Sequence, residues 1–365
     1  MTQLRIPGPT PCPPEVLKAM AWPMIDHRGP EYKKIIFEVT DKLKQVFQTR
    51  NDVLILTCSG TGGLEAAVVN TLSPGDRVLS VSIGAFGDRW ANIAREFGAE
   101  VVALDIEWGK AADPEAIRQA IMSNPDVSAV MVTHNETSTG VTNDLGTISK
   151  VVKESGKLLL VDAISSLSSI DLPVDDWHCD VVVSGSQKGW MVPPGLVMVS
   201  ISTEAWEAHS KAKMPHFYWD FTKGKSFLEK GQNPWTPAVS VMFALSVSLE
   251  MMLKEGLPNI FARHARIGQI TREGIKALGL SLFAEESHAS NTVTSVAAPE
   301  GLDIKKLRQI LQDEHQVVLA GGQQRLDGKI FRIGHLGLVN EDDIKAVISA
   351  LKVALPKAGF AGVKQ

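Results

Sequence analysis

Residues 157–190 read KLLLVDAISSLSSIDLPVDDWHCDVVVSGSQKGW, and the fold turns on how this stretch is read. It contains two short runs, 157–161 and 181–183, that are apolar at successive rather than alternate positions. Strands of that kind have both faces covered, which points to a mostly parallel sheet with helices on either side. Each run is followed by a residue out of keeping with it. Asp162 comes directly after four apolar residues, where an unpaired carboxylate is costly and needs a partner; capping the next turn is the plainest one. Lys188 follows the second run among small and polar residues and precedes WMVPPG, which is not the texture of an exposed charged stretch. For any single lysine, though, a solvated surface amine is the ordinary reading.

The same texture extends outward on both sides. Apolar runs at 53–58, 77–81, 101–104, 127–132 and 196–201 alternate with helical stretches, so the two runs become seven. An α/β fold with a mainly parallel seven-stranded sheet is expected. Before it, Ile35, Ile36, Val39, Leu43, Val46 and Phe47 recur at helical spacing between Tyr32 and Gln48. The Pro-rich first twenty-five residues cannot hold a long helix and read as an extended arm, 1–25, ahead of a large domain over 26–240. Beyond that, helices at 239–253, 303–314 and 342–354 alternate with strands at 291–297 and 329–334. This predicts a smaller α+β domain over 241–365, with Asn340 and Asp343 capping the last helix.

Composition narrows the function. A chain of 365 residues, 44% apolar and 21% charged, can bury substantial cores and is not disordered. Its net charge of −4, with no long run of one sign, recommends no nucleic-acid surface. The start lacks the apolar core of a secretory signal, and no uncharged run reaches the length of a membrane helix. Cys12, Cys58 and Cys179 are too scattered for a disulfide framework or a metal cluster. A soluble, cytoplasmic protein is expected.

In an open parallel sheet, ligands bind at the carboxyl ends of the strands. After the first run comes SGTGGLE (59–65) and then a helix, so Ser59, Gly60 and Thr61 could present hydroxyl and N–H donors to a phosphate, or form an ordinary tight turn. A dinucleotide site would want an acid at the end of the next strand, which instead ends Ser80-Val81-Ser82. After that strand, SIGAFGDRW places Phe86 on a loop between glycines, free to stack on a planar ligand or to pack locally. A phosphate cradle, a stacking aromatic, a buried acid and a lysine, all at one sheet edge, are together what pyridoxal phosphate requires. The lysine holds the cofactor as a Schiff base and the acid pairs with its ring nitrogen.

The sequence resembles the class V aminotransferases of fold type I, especially the alanine–glyoxylate and serine–glyoxylate (serine–pyruvate) enzymes. The resemblance runs over essentially the whole chain, from IPGPTPCPPEVL through DHRGPEY, SGTGGLEAA, THNETSTG, LLLVDAISSL and SGSQKG to KIFRIGHLG. It implies Lys188 as the cofactor-holding lysine and proton shuttle between the substrate Cα and the cofactor's C4′ carbon. Asp162 would keep the ring nitrogen protonated, and Phe86 stands where the family stacks an aromatic. Ser59, Gly60, Thr61 and Gln187 match phosphate-binding positions, and Thr137 the hydroxyl near the ring oxygen. Thr236 and Asn233 in GQNPWTPAV match positions that reach the cofactor of the other subunit, which implies a homodimer with shared sites. Arg332 matches the arginine that clamps the substrate carboxylate, a task its planar fork suits.

The resemblance also implies ping-pong transamination from serine or alanine to glyoxylate or pyruvate. Thr61 stands where some relatives have His and Asn233 where many have Tyr, so donor preference does not carry across. 2-Aminoethylphosphonate–pyruvate and ureidoglycine–glyoxylate transamination remain open, with His27 and Arg28 available to a phosphonate, as does a catalytically silent relative of the fold. Cysteine desulfurase is disfavoured, since no Cys follows Cys179 and Gln187 precedes Lys188. The label of a soluble hydrogenase subunit, which relatives have carried, finds no nickel–iron or iron–sulfur ligand set in three scattered cysteines. The final AGVKQ is not a peroxisomal address.

Overall fold

The computed structural model describes residues 2–360. In chain order its strands are β1 (Gln3–Arg5), β2 (Asp52–Cys58), β3 (Arg77–Ser82), β4 (Glu100–Asp105), β5 (Ala129–Thr133), β6 (Asn135–Glu136) and β7 (Val141–Thr142). There follow β8 (Leu158–Asp162), β9 (Val181–Gly185), β10 (Gly195–Ile201), β11 (Val293–Ala297), β12 (Val317–Gly321) and β13 (Ile330–Gly334). The seven expected runs form one seven-stranded sheet in the order β2-β10-β9-β8-β5-β3-β4. All its pairs are parallel except those of β10, which runs antiparallel to both β2 and β9. Because β10 reverses direction between them, β2 and β9 point the same way. Every strand that precedes a site segment therefore ends at one edge.

The successive apolar residues have the predicted cause. Leu159, Val161 and Val182 enter the core on one face of the sheet, while Leu160, Val181 and Val183 enter the core on the other. The helix Gly60–Thr71 covers the second face. A Cβ on Gly63 would overlap the Val197 and Val183 side chains, so this glycine serves close helix–sheet packing rather than a ligand.

A second, four-stranded sheet has the order β1-β12-β13-β11, with the helices Ile304–His315 and Glu341–Lys357 packed on it. The last helix opens with the predicted capping box: the Asn340 side chain accepts from the Asp343 N–H, and Asp343 returns the bond to the Asn340 N–H. Two details go beyond the sequence reading. The arm expected over 1–25 is tied to the fold, because β1 is the parallel edge strand of this smaller sheet, and it carries a short helix, Pro14–Ala19. The helix Val239–Glu255 packs with Pro30–Phe47 in the core of the larger sheet, through Met242, Phe243 and Leu249 against Ile36 and Leu43. A boundary at 240 therefore separates this helix from the layer it belongs to. Its apolar character runs round most of its circumference, so the sequence alone does not show which sheet it covers.

Gly63→Ala should lower the urea midpoint, with a net loss of about 1–3 kcal/mol from overpacking. The gain in helix propensity, at most about 1 kcal/mol, is smaller because both valines are stiff and lie on central strands. An unchanged midpoint would show that the helix moves away from the sheet at no cost.

Candidate active site

The shared edge gathers what the sequence separated. A cavity of about 220 Å³ is lined by Ser59, Gly60 and Thr61 after β2, Thr137 after β5, Asp162 at the end of β8 and Lys188 beyond β9. Ser59 is the N-cap of Gly60–Thr71, yet its hydroxyl makes no capping bond. Ser59, Gly60 and Thr61 thus border a common space, with the positive end of the helix behind them. Gln187 lines the same cavity, and its Oε1 is buried without a hydrogen-bond partner.

Asp162 is 4% exposed and accepts one hydrogen bond, from the Ile164 N–H at 2.9 Å. Burial pushes its carboxyl up to about 7, and the neighbouring Glu136 adds to the rise. Such an acid is short of a cationic or N–H partner on the cavity side. Lys188 keeps some surface toward the cavity, but protein encloses its amine, which desolvation pushes down to about 8, with Arg332 acting in the same direction. That amine donates to the Pro7 carbonyl at 2.6 Å. Thr10 adds a backbone bond to the Gln187 carbonyl (3.0 Å) and a hydroxyl bond to the Lys188 carbonyl (2.9 Å). The N-terminal segment therefore crosses directly over the lysine. Gly8 has φ +145° there, and a Cβ on it would stand 2.6 Å from Lys188 Nζ. Only glycine fits that crossing.

Phe86 is not on a loop. It lies in the first turn of the helix Ala85–Glu96, two residues after the extended N-cap Gly84. Glu136, fully buried, accepts from the Phe86 and Gly87 N–H groups (3.1 and 3.2 Å) and from the Ser138 N–H and hydroxyl. A carboxylate at the positive end of this helix thus fixes where the Phe86 ring stands. Arg89, one turn on, lies over that ring at 4.8 Å, with Nη1 3.5 Å from Thr61 Oγ1. Thr137 donates its hydroxyl to Ser165 at 2.8 Å. Glu136, Arg89, Gly8 and Ser165 were not singled out in the sequence. A buried Glu inside a mostly polar run such as THNETSTG carries no local signal, whereas Arg89 was open to discovery as a helical neighbour of Phe86.

A second cavity, of about 410 Å³, shares Phe86, Thr137 and Lys188 with the first and is bounded on its other side by Arg332. Arg332 is 5% exposed and donates to the carbonyls of Gly321 (2.9 Å) and Thr137 (3.0 Å) and to Gln323 Oε1 (3.2 Å). The Thr137 bond joins the smaller sheet to the larger sheet's edge. Thr236 and Asn233 lie away from both cavities. Thr236 is exposed, whereas both ends of the Asn233 amide are used within its own chain, by the Tyr32 hydroxyl and the Ile55 carbonyl. Arg28 is likewise occupied, with Gln232 and the carbonyls of Asn233 and Pro234.

A family model described as aminotransferase class-V matches residues 4–332. The chain belongs to the class-V aminotransferases. It is 36% identical to the serine–glyoxylate aminotransferase of Methylorubrum extorquens, across 96% of this chain and 90% of that one. It is 48% identical to a protein of Anabaena cylindrica named soluble hydrogenase 42 kDa subunit, across 98% and 94%. The solved alanine–glyoxylate aminotransferase of a Nostoc species superposes with a TM-score of 0.93 at 31% identity, covering 97% of this chain and 95% of that one. Class-V aminotransferases generally use pyridoxal phosphate, and the first cavity suits it. Asp162 lacks the partner that a protonated ring nitrogen would supply, the helix N-terminus and Arg89 suit a phosphate, and Lys188 offers an amine of lowered basicity.

The folded chain keeps the Asp162 proton up to about pH 7, so stability from this group is full below the ordinary carboxylate range and is lost as pH rises through about 7. At pH 8, Asp162→Asn should therefore raise the melting temperature of the cofactor-free aminotransferase by a few degrees while weakening its hold on pyridoxal phosphate. A variant that melts no higher than the parent would show that the carboxylate is not strained by its burial.

Proposed function

We propose that this aminotransferase passes the amino group of a small amino acid, serine or alanine, to glyoxylate or pyruvate in a ping-pong reaction, with pyridoxal phosphate in the first cavity. The observation that carries this reading is the position of Lys188 on the border of two cavities, one ending at Asp162 and the other at Arg332. When bound, pyridoxal phosphate supplies an electron sink for the negative charge that develops at the substrate Cα.

The chain's own residues do the rest. Ser59, Gly60, Thr61, Gln187 and Arg89 hold the phosphate, and Phe86 stacks on the ring from the place Glu136 assigns it. Asp162 would keep a proton on the ring nitrogen and would thereby answer its own buried charge. Thr137 would offer its hydroxyl to the ring oxygen. Arg332 offers its guanidinium charge to the substrate carboxylate and so presents the Cα hydrogen to Lys188. The Lys188 amine, held near 8, is neutral often enough at mildly alkaline pH to move that proton. The active form in this reading is a homodimer in which Thr236 reaches the partner's phosphate site.

The visible absorbance of the loaded protein should bleach with L-serine or L-alanine and return on adding glyoxylate. If neither donor changes it, the substrate class is rejected. Lys188→Ala should retain cofactor and lose ~10³-fold or more in turnover, the range expected for a missing acid–base group; near-normal turnover would remove Lys188 from the mechanism. Arg332→Ala should raise KM for both carboxylate substrates by about tenfold to a hundredfold, the cost of a lost charged hydrogen bond. A KM that stays put would place the carboxylate elsewhere.

A further inference from the structure

The second cavity carries more positive charge than a single carboxylate needs. Arg332 bounds its inner side, and Arg308, from the helix Ile304–His315, faces the same space. Although Arg308 is exposed, its guanidinium does not move freely, because Nε donates to the Leu319 carbonyl at 2.9 Å. The two arginines straddle one residue. Arg332 Nε donates to the Gly321 carbonyl, and Arg308 Nη1 lies 3.1 Å from where a Gly321 Cβ would stand. No side chain separates the two groups there. Burial is the main influence that holds the Arg332 guanidinium down, to about 10, and the Arg308 charge acts in the same direction.

The buried Glu136 offsets part of the Arg332 charge from a distance, but no described carboxylate sits against either arginine. Among the described residues neither arginine forms an ion pair with an Asp or Glu, and Asp327, which also lines the cavity, pairs with neither. Their hydrogen-bond acceptors within the chain are backbone carbonyls and the Gln323 amide, which position a guanidinium without cancelling its charge. Two like charges fixed side by side around one cavity are unfavourable until an anion comes between or beside them. A monocarboxylate on Arg332 leaves Arg308 unanswered, whereas a substrate with a second carboxylate at its far end answers both.

We infer that Arg308 is a specificity-determining residue that recognises a second carboxylate, so that the site takes amino and oxo dicarboxylic acids of aspartate size. This rests on the transamination reading above. It extends that reading from small neutral side chains to acidic ones.

The test uses the cofactor-loaded protein and its R308Q variant. With glyoxylate as acceptor, L-aspartate leaves as oxaloacetate while glyoxylate becomes glycine, and L-alanine serves as the reference donor. The ratio of kcat/KM for aspartate to that for alanine should fall about tenfold or more in R308Q, the scale of one charged hydrogen bond. A ratio that does not move overturns the inference, as does a parent enzyme that takes alanine and refuses aspartate. Equilibrium binding of succinate and propionate, followed by calorimetry, separates the two readings. The parent should bind succinate about tenfold or more tightly than propionate, and R308Q should close that gap. Equal binding of the two acids by the parent overturns the inference even where transamination is confirmed. If succinate is preferred while no amino donor is turned over, the dicarboxylate site stands and the transaminase reading fails.

Discussion

Charge held away from water is the constraint on which the site depends. Asp162, Glu136 and Arg332 are all buried, and the Lys188 amine is enclosed, at one edge of one sheet. Their direct hydrogen bonds are to neutral protein groups, with the opposite charges acting only from a distance: Lys188 bonds a carbonyl, Asp162 and Glu136 N–H groups, Arg332 carbonyls and an amide. Such an arrangement persists only on a rigid frame. The central strands β8 and β9 provide it, since their apolar faces are packed on both sides and cannot yield to let water reach the charges. The cost shows as a raised carboxyl and a lowered amine, which are the properties that transamination uses.

The N-terminal segment ties this edge to the smaller sheet. Strand β1 pairs with β12, and only a few residues later Pro7 accepts from the lysine and Thr10 bonds to the backbone at Gln187 and Lys188. Gly334, at the end of β13, lacks the side chain that would strike the Ile6 carbonyl as the segment passes. Arg332 makes a parallel connection through the Thr137 carbonyl. The two cavities that Lys188 borders are therefore positioned by both sheets. A substitution in either sheet can alter the alignment of both cavities.

Local signals were legible wherever the chemistry is local. Seven apolar runs became seven strands of one sheet, because burial on both faces leaves successive apolar residues. The Asn340–Asp343 box formed because its partners are three residues apart. The conjunction of Ser59, Gly60, Thr61, Asp162 and Lys188 could be recognised because strand ends in such a sheet share an edge. Position, by contrast, was misread at Phe86, placed on a loop when it lies in the first turn of a helix. A distant residue decides there: Glu136, which accepts from the Phe86 N–H.

The sequence by itself thus determined the layer architecture, the strand ends and the chemical character of the site, since apolar periodicity and residue type act over a few positions. Only the tertiary structure decided that β1 belongs to the smaller sheet, that Val239–Glu255 covers the larger one, and that Gly8 must be a glycine. It alone brought Arg308 beside Arg332 across Gly321. The physical reason is common to all four. Each depends on which surfaces meet after the chain has folded, and residues far apart in sequence leave no mark on one another until they touch.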